Sequence, residues 1–167
     1  MHAEAQPDLV RPGATTAAAP RMVAAAVALA AAGPLVLAAW LEPAAAGLGT
    51  HEQLGLPACG WVAAAGIPCP SCGMTTAFAH AARGDLLGSF LVQPAGAILA
   101  LAAAMVAVVA AFTAATGAKS WEVLWSSLSP RVWTVLIVVV ILAWVYKIAC
   151  VRLDAAIEVL PLGGAAW

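Results

Sequence analysis

The sequence predicts an all-α integral membrane protein with three transmembrane helices. Hydrophobic residues make up 64% of the chain and charged residues only 9%, whereas soluble domains carry roughly 45–50% and about 25%. Three long apolar stretches could each cross the ~30 Å hydrocarbon layer as a helix. The 167 residues carry a net charge of −1, which provides no basic field for nucleic acid. The lipid bilayer is therefore the expected partner, and nucleic acid is not.

The first span is predicted from Met22 to Leu41, with Trp40 at headgroup depth. Pro34 inside this span is expected to kink the helix. A cleaved signal peptide is the alternative, but the apolar region of such a peptide is normally only about 7–15 residues long. Residues 1–20 contain several prolines and no periodicity, which predicts a disordered tail.

The second and third spans are predicted at residues 95–115 and 131–151. The second follows Gln93-Pro94, since proline is tolerated in a first helical turn. Residues 21–152 then form a single membrane domain, and 153–167 form a short tail. Small residues recur every four positions on the first two spans, which predicts that these helices pack closely together. The repeats are Ala24, Ala28 and Ala32, and Gly96, Ala100 and Ala104.

Aromatic and basic residues mark the expected membrane interfaces. An apolar helix face with i, i+3, i+4, i+7 spacing precedes the third span, and its tryptophans predict a short interfacial helix. Lys147, near the end of the third span, is expected to extend its ammonium group to the headgroups. The residues of the interfacial face are Trp121, Leu124, Trp125 and Leu128.

The segment at residues 55–90 is predicted to be re-entrant or interfacial. Residues 53–79 carry no charge, yet prolines and glycines break any continuous helix before the cysteines. Lipid cannot satisfy the polar groups of such backbone, so it must lie at the water interface or be covered by protein. A short helix is predicted to begin at Pro70 and to stop near Arg83. Gly84 then favours the C′ position, and Asp85 is suited to capping the next helix.

Cys69 and Cys72 are the clearest chemical feature of this segment. With Cys69 as N-cap and Pro70 in the first turn, the Cys69 sulfur would face the free amides at the helix start. Such a position lowers a cysteine pKa from about 8.5 into the range of about 3.5–7.5. The same spacing also suits a shared metal ion or a disulfide.

Three interpretations of the cysteines remain open. In the first, Cys69 and Cys72 are a thiol-redox couple, because Cys-Pro-x-Cys is similar to the glutaredoxin motif, although the βαβ context is missing. In the second, Cys59 supplies a third sulfur to a metal site, zinc above all, with His51 or His80 as fourth ligand. In the third the role is structural: Cys59 is bonded to one of the pair, or all three are small buried residues.

A set of residues around the cysteines carries a family resemblance: Cys59, Cys69-Pro70-Ser71-Cys72-Gly73-Met74-Thr75, Ala77-Phe78, Arg83-Gly84-Asp85-Leu86 and Gln93-Pro94. This pattern resembles the bacterial domain-of-unknown-function family numbered 2752, whose members are short multi-pass membrane proteins. The resemblance covers residues 55–115. It implies a multi-pass protein of the bacterial cytoplasmic (inner) membrane in which these motif residues have structural importance. It implies no particular chemistry.

Thr76 departs from the motif of that family, which usually carries arginine at this position. A guanidinium group there could have paired with a thiolate or bound an anion. Arg83 is a poor substitute, because it lies about 10 Å further along the helix. The Thr75 and Thr76 hydroxyls are expected to bond to preceding helical carbonyls instead.

The sequence favours a membrane protein that is not an enzyme by itself and that acts as a homo-oligomer or with a membrane-protein partner. Neither Thr75 nor Thr76 has a recognisable base partner for nucleophilic catalysis. The alternative is a small-solute transporter or channel subunit. Transport is disfavoured because substrate and ion pathways usually require ionisable residues at the centre of a span.

Overall fold

The computed structural model describes residues 14–118 and 129–159, and every regular element in those ranges is helical. Helices α1, α2 and α3 span Ala14–Trp40, Gly60–Ala65 and Met74–Ala82, with a 3-10 helix at Thr50–Leu54 between α1 and α2. Helices α4, α5 and α6 span Leu86–Val92, Pro94–Thr116 and Pro130–Val159. The all-α prediction is confirmed. The predicted interfacial tryptophan helix falls at residues outside those described.

Three of these helices are long and apolar enough to cross a membrane. The candidate spans are Ala19–Trp40, Pro94–Thr116 and Pro130–Leu153. They agree with the three predicted spans and show a membrane protein. Helix α1 begins at Ala14 and therefore includes Pro20, which the sequence placed in the tail.

Among the described helices, α1 and α5 form the most extensively packed pair, which confirms the pairing that the small-residue repeats predicted, although Gly96 of the second repeat approaches α3 instead. Ala24 and Ala38 on α1 are buried, as are Ala100 and Ala110 on α5. Small side chains let two helix backbones approach closely enough for strong van der Waals contact. The pair forms the base on which the shorter helices lie.

Arginine side chains bind the carboxyl ends of these two helices. Arg21 donates from its guanidinium group to the carbonyls of Ala114 and Ala115 at 2.9 and 2.8 Å. Arg83 donates to the carbonyl of Leu41, just after α1. The last carbonyls of a helix lack intrahelical donors and carry partial negative charge. Both arginines therefore stabilise the carboxyl end of the helix that they contact.

Helix α3 packs against both α1 and α5. Its Phe78 forms a buried cluster with Ala38 and Ala100. Gly96 makes the approach to α5 possible, because a Cβ atom at this position would lie 2.8 Å from the Cβ of Ala77. Ser89 of α4 donates to the Ala77 carbonyl at 2.7 Å and joins the short helices to each other.

The turn between α3 and α4 is held by Asp85. Gly84 adopts a φ of 82°, which only glycine reaches without strain. The Asp85 carboxylate accepts from the Gly88 amide at 2.8 Å and lies 2.8 Å from His80 Nδ1. The Gly88 amide, and then His80, lower the pKa of Asp85.

Helix α6 is attached to the rest of the fold by polar side chains near its middle. Trp144 Nε1 donates to the Pro68 carbonyl at 2.9 Å, and the Tyr146 hydroxyl donates to the Leu91 carbonyl at 2.8 Å. Trp144 also meets Trp61 of α2 edge to face, with ring centroids 6.3 Å apart. These contacts connect the third candidate span to the segment that carries the cysteines.

Lys147 does not extend to the headgroups, so that prediction is wrong. Its side chain is only 5% exposed. The ammonium group donates to the carbonyls of Gly47 and Val92 at 3.2 and 3.1 Å. Burial of a charge is tolerated when it is hydrogen-bonded, and backbone carbonyls are common partners of charges within membranes. The sequence could not reveal that these two carbonyls converge.

Replacing Gly96 with alanine is expected to destabilise the protein by about 1–3 kcal/mol, because the added methyl group overpacks the α3–α5 contact. Denaturant titration of the full chain in detergent micelles measures the change in unfolding free energy. Gly33→Ala is the control, since nothing lies within 4 Å of a Cβ atom there. That change should be neutral or stabilising by up to about 1 kcal/mol. Equal losses in both variants would contradict the packing argument.

Lys147→Met should lower the unfolding free energy by about 1–3 kcal/mol, because buried carbonyls lose their donor while the apolar length of the side chain remains. The same titration provides the measurement. Arg152→Met is the matched control, since it removes an exposed cation from the same helix. Unchanged stability of Lys147→Met would show that the ammonium group does not hold α6.

Asp85→Ala should lower the melting temperature most at neutral pH and progressively less in acid. The folded pKa of Asp85 is lowered, so its stabilisation is present above the unfolded value of about 3.9 and is lost as the pH falls through the folded value. Thermal unfolding across a pH series measures the difference from wild type. Glu42→Ala controls for loss of one exposed carboxylate, and a difference independent of pH would contradict the argument.

Candidate functional site

Three cysteine side chains converge in the described part of the chain. The Sγ atoms of Cys59, Cys69 and Cys72 all lie within 4.8 Å of one another. The two sulfurs of the Cys-Pro-x-Cys turn are 3.2 Å apart, and all three residues are free cysteines. We call these residues the cysteine cluster. Cys150, on α6, is not part of it.

The turn before α3 places two of the three sulfurs. Helix α3 begins at Met74, so the predicted start at Pro70 is wrong. The Cys72 amide donates to the Cys69 carbonyl at 3.0 Å, which is the hydrogen bond of a β-turn with Pro70 at the position that proline favours. Gly73 then has a φ of 84°. A right-handed helix cannot contain this conformation, so no continuous helix runs from Pro70 into α3.

Gly73 is required by space as well as by its backbone conformation. A Cβ atom there would lie 2.9 Å from the Gly47 carbonyl oxygen and 3.2 Å from the Lys147 ammonium nitrogen. The same carbonyl accepts the hydrogen bond from Lys147. The cysteine turn, the chain after α1 and the third candidate span therefore meet at one point.

Cys59, rather than Cys69, occupies a helix N-cap, at the start of α2. The amide of Val62 lowers the pKa of Cys59 to about 6, with the Cys72 thiol as a further donor. The argument that a helix start favours a thiolate therefore applies to a cysteine that the sequence analysis did not place at one. Cys59 therefore loses its proton more readily than an ordinary cysteine does.

Cys72 has the opposite environment. It is only 7% exposed. Burial raises the pKa of Cys72 to about 12, and the neighbouring Cys69 and Cys59 side chains add to the increase. Its sulfur also accepts from the Cys69 amide at 3.3 Å. The cluster therefore combines one cysteine with a lowered pKa, Cys59, and one with a raised pKa, Cys72.

An open cleft of about 690 Å³ gives access to the cysteine cluster. The 3-10 helix forms part of its wall and contributes His51 and Glu52, while Met74 and Thr76 line it from α3. His51 Nε2 lies 3.2 Å from the Pro57 carbonyl. Nitrogen, oxygen and sulfur donors are thus present beside the three sulfurs.

Thr76 fixes the 3-10 helix onto α3. Its hydroxyl lies 2.8 Å from that of Thr50, and both residues are almost fully buried. The Thr50 hydroxyl also accepts from the Ala44 amide at 3.0 Å. The predicted bond from Thr76 to its own helix is replaced by this contact. A neutral hydroxyl pair thus occupies the position where the resembling motif usually carries arginine.

The other motif residues lie around the cluster rather than in it. His80 pairs with Asp85 and is not among the residues that line the cleft, within the part of the chain described. Pro94 begins α5. Gln93, which sequence reasoning left without a role, is fully buried and donates to the Pro70 carbonyl at 3.2 Å. An amide next to proline in an apolar stretch was the available signal for this contact.

Comparison with known proteins agrees with the resemblance drawn from the motif. Residues 57–107 match the family described as "Protein of unknown function (DUF2752)". No curated protein and no solved structure matches the chain. The matched segment contains all three residues of the cysteine cluster and the helices that position them. Over this segment the chain resembles a family of unknown function.

Proposed function

We propose that this protein is a membrane-anchored metal-binding protein whose cysteine cluster holds one soft or borderline cation, with zinc foremost. The observation that carries the proposal is the approach of three Sγ atoms to within 4.8 Å of one another. Zn–S bonds of about 2.3 Å at tetrahedral angles separate their sulfurs by about 3.8 Å. The cluster reaches this geometry through small side-chain movements. A disulfide would use only two of its sulfurs.

The donor set supports a cation of this type. Thiolates are soft ligands, which favour zinc, copper(I) and iron–sulfur centres over magnesium or calcium. Two of the cysteines come from one tight turn and the third from the start of α2. A metal ion would therefore join two short elements that follow each other in the sequence.

The proposal places the three apolar helices across the cytoplasmic membrane of a bacterium. Their length and composition support a multi-pass arrangement. Bulky side chains on α6, among them Val135, Ile137 and Leu142, are well exposed. This apolar surface is suited to contact with lipid. In an oligomer, a second copy of the chain or another membrane protein would cover the same face instead.

A thiol-redox role is the second candidate, favoured by the 3.2 Å separation of the Cys69 and Cys72 sulfurs. In this reaction the two thiols form one disulfide and lose two protons and two electrons. A disulfide of a partner protein accepts these protons and electrons and is reduced to two thiols.

Small-solute transport has less support. Lys147, a buried charge within a candidate span, binds carbonyls and is not among the cleft-lining residues described.

The full-length protein, purified in micelles and dialysed against zinc, is expected to retain one equivalent of metal in elemental analysis. Cys59→Ser, Cys69→Ser and Cys72→Ser should each weaken zinc binding by more than about tenfold, because losing a ligand costs more than losing an outer-shell partner. Competition with a chromophoric chelator measures the affinity. Cys150→Ser is the matched control and should bind zinc as the wild type does.

Thiol titration of the same samples, before and after reduction, separates the two candidates. Bound zinc with every cysteine reduced supports the metal site. If the sample has two fewer titratable thiols before reduction than after it, two cysteines form a disulfide. The redox role is favoured if this difference disappears in Cys69→Ser. A protein with all thiols reduced and no affinity for metal would contradict both.

A further inference from the structure

We propose that His51 is the fourth ligand of the metal site, so that the site takes a tetrahedral divalent cation through three sulfurs and one nitrogen. This inference rests on the proposed function and assigns the residue that completes it. Structural zinc sites are almost always four-coordinate, and three cysteines with one histidine is an established ligand set. A copper(I) ion held by the three thiolates would have no need of the imidazole.

The position of His51 carries the first step. His51 lines the same cleft as the three cysteines. The 3-10 helix that bears it is fixed to α3 through the buried hydroxyl contact between Thr50 and Thr76. Helix α3 begins directly after the cysteine turn. The imidazole is therefore carried by an element that is anchored next to the sulfurs.

The hydrogen bond of His51 carries the second step. Its Nε2 lies 3.2 Å from the Pro57 carbonyl, and a carbonyl oxygen can only accept. Nε2 therefore carries the hydrogen, and the neutral ring keeps a lone pair on Nδ1. Histidine ligands usually donate their other ring N–H to a carbonyl or carboxylate, which fixes the ring tautomer. Pro57 lies only two positions before Cys59, so this contact holds His51 to the segment that carries another prospective ligand.

Closure of the site needs a movement that the chain allows. The 4.8 Å cluster comprises the three sulfurs without His51, so the ring must move toward them when a metal binds. Gly49 and Gly55 flank the 3-10 helix with φ values of 88° and 75°. Glycine tolerates backbone changes that other residues resist. Because Thr50 lies in the same 3-10 helix, the shift that brings the half-buried ring to the sulfurs must be small enough to keep the Thr50–Thr76 contact.

Charge favours His51 over its neighbour Glu52, which also lines the cleft. Three thiolates and a divalent cation leave a net charge of −1. A neutral imidazole keeps that value, whereas a carboxylate would raise it to −2. Concentrating negative charge beside a low-dielectric membrane region is costly. The carboxylate is therefore the weaker candidate for the fourth position.

The test compares zinc affinity and cobalt(II) spectra of full-length variants in micelles. His51→Gln keeps an N–H donor for the Pro57 carbonyl but removes the imidazole. It should lower zinc affinity by more than about tenfold, because a ligand is lost rather than an outer-shell partner, leave copper(I) affinity unchanged and alter the cobalt ligand-field bands. His51→Ala should behave in the same way. His80→Ala and Glu52→Gln are the matched controls and should leave affinity and spectrum as in the wild type.

Each alternative outcome has a distinct meaning. Unchanged zinc affinity and cobalt spectrum in both His51 variants would overturn the inference, while loss of binding in the cysteine variants would leave the metal site intact. Weakening by Glu52→Gln alone would identify the carboxylate as the fourth ligand and also overturn it. Absence of metal binding in the wild type would overturn the proposed function itself. Melting curves of the metal-free variants confirm that any loss reflects the site rather than unfolding.

Discussion

The buried ammonium group of Lys147 is the contact on which the arrangement around the cysteines depends. It joins the carbonyls of Gly47 and Val92, which belong to the chain after α1 and to the end of α4. Gly73, which has no side chain, packs against the same lysine. Hydrogen bonds of this kind stabilise a buried charge, so the approach of these carbonyls to Lys147 joins the third span to the rest of the fold. The lysine therefore contacts three separate parts of the chain.

The cysteine cluster is built by local elements and stabilised by distant ones. A β-turn and a short helix present the three sulfurs, and each is a few residues long. Short helices are marginal by themselves and gain their stability from tertiary contacts. Here the contacts come from Gln93, which holds Pro70, and from Trp144, which holds Pro68 and meets Trp61. The large apolar helices thus act as the support for a small polar site.

Sequence reasoning succeeded where the signal is local and strong. Length and hydropathy were enough to locate the three candidate spans, and alanine and glycine repeats predicted the pairing of α1 with α5. It failed where the outcome depends on contacts across the chain. Helix α3 was predicted to begin at Pro70 but begins at Met74. Gly73, just before it, lies close to the Gly47 carbonyl, which is distant in sequence. The burial of Lys147 and the approach of Cys59 to the turn likewise depend on long-range packing.

The long sequence separation of the α6 contacts has a consequence for how the protein is made. Trp144 and Pro68 are separated by 76 residues, and Lys147 and Gly47 by 100. During synthesis the thiols leave the ribosome well before the tryptophan and lysine that support them. The nascent chain must therefore insert its last apolar segment before the sulfur site becomes rigid. Until then the cysteine cluster lacks the contacts that Trp144 makes with Pro68 and Trp61.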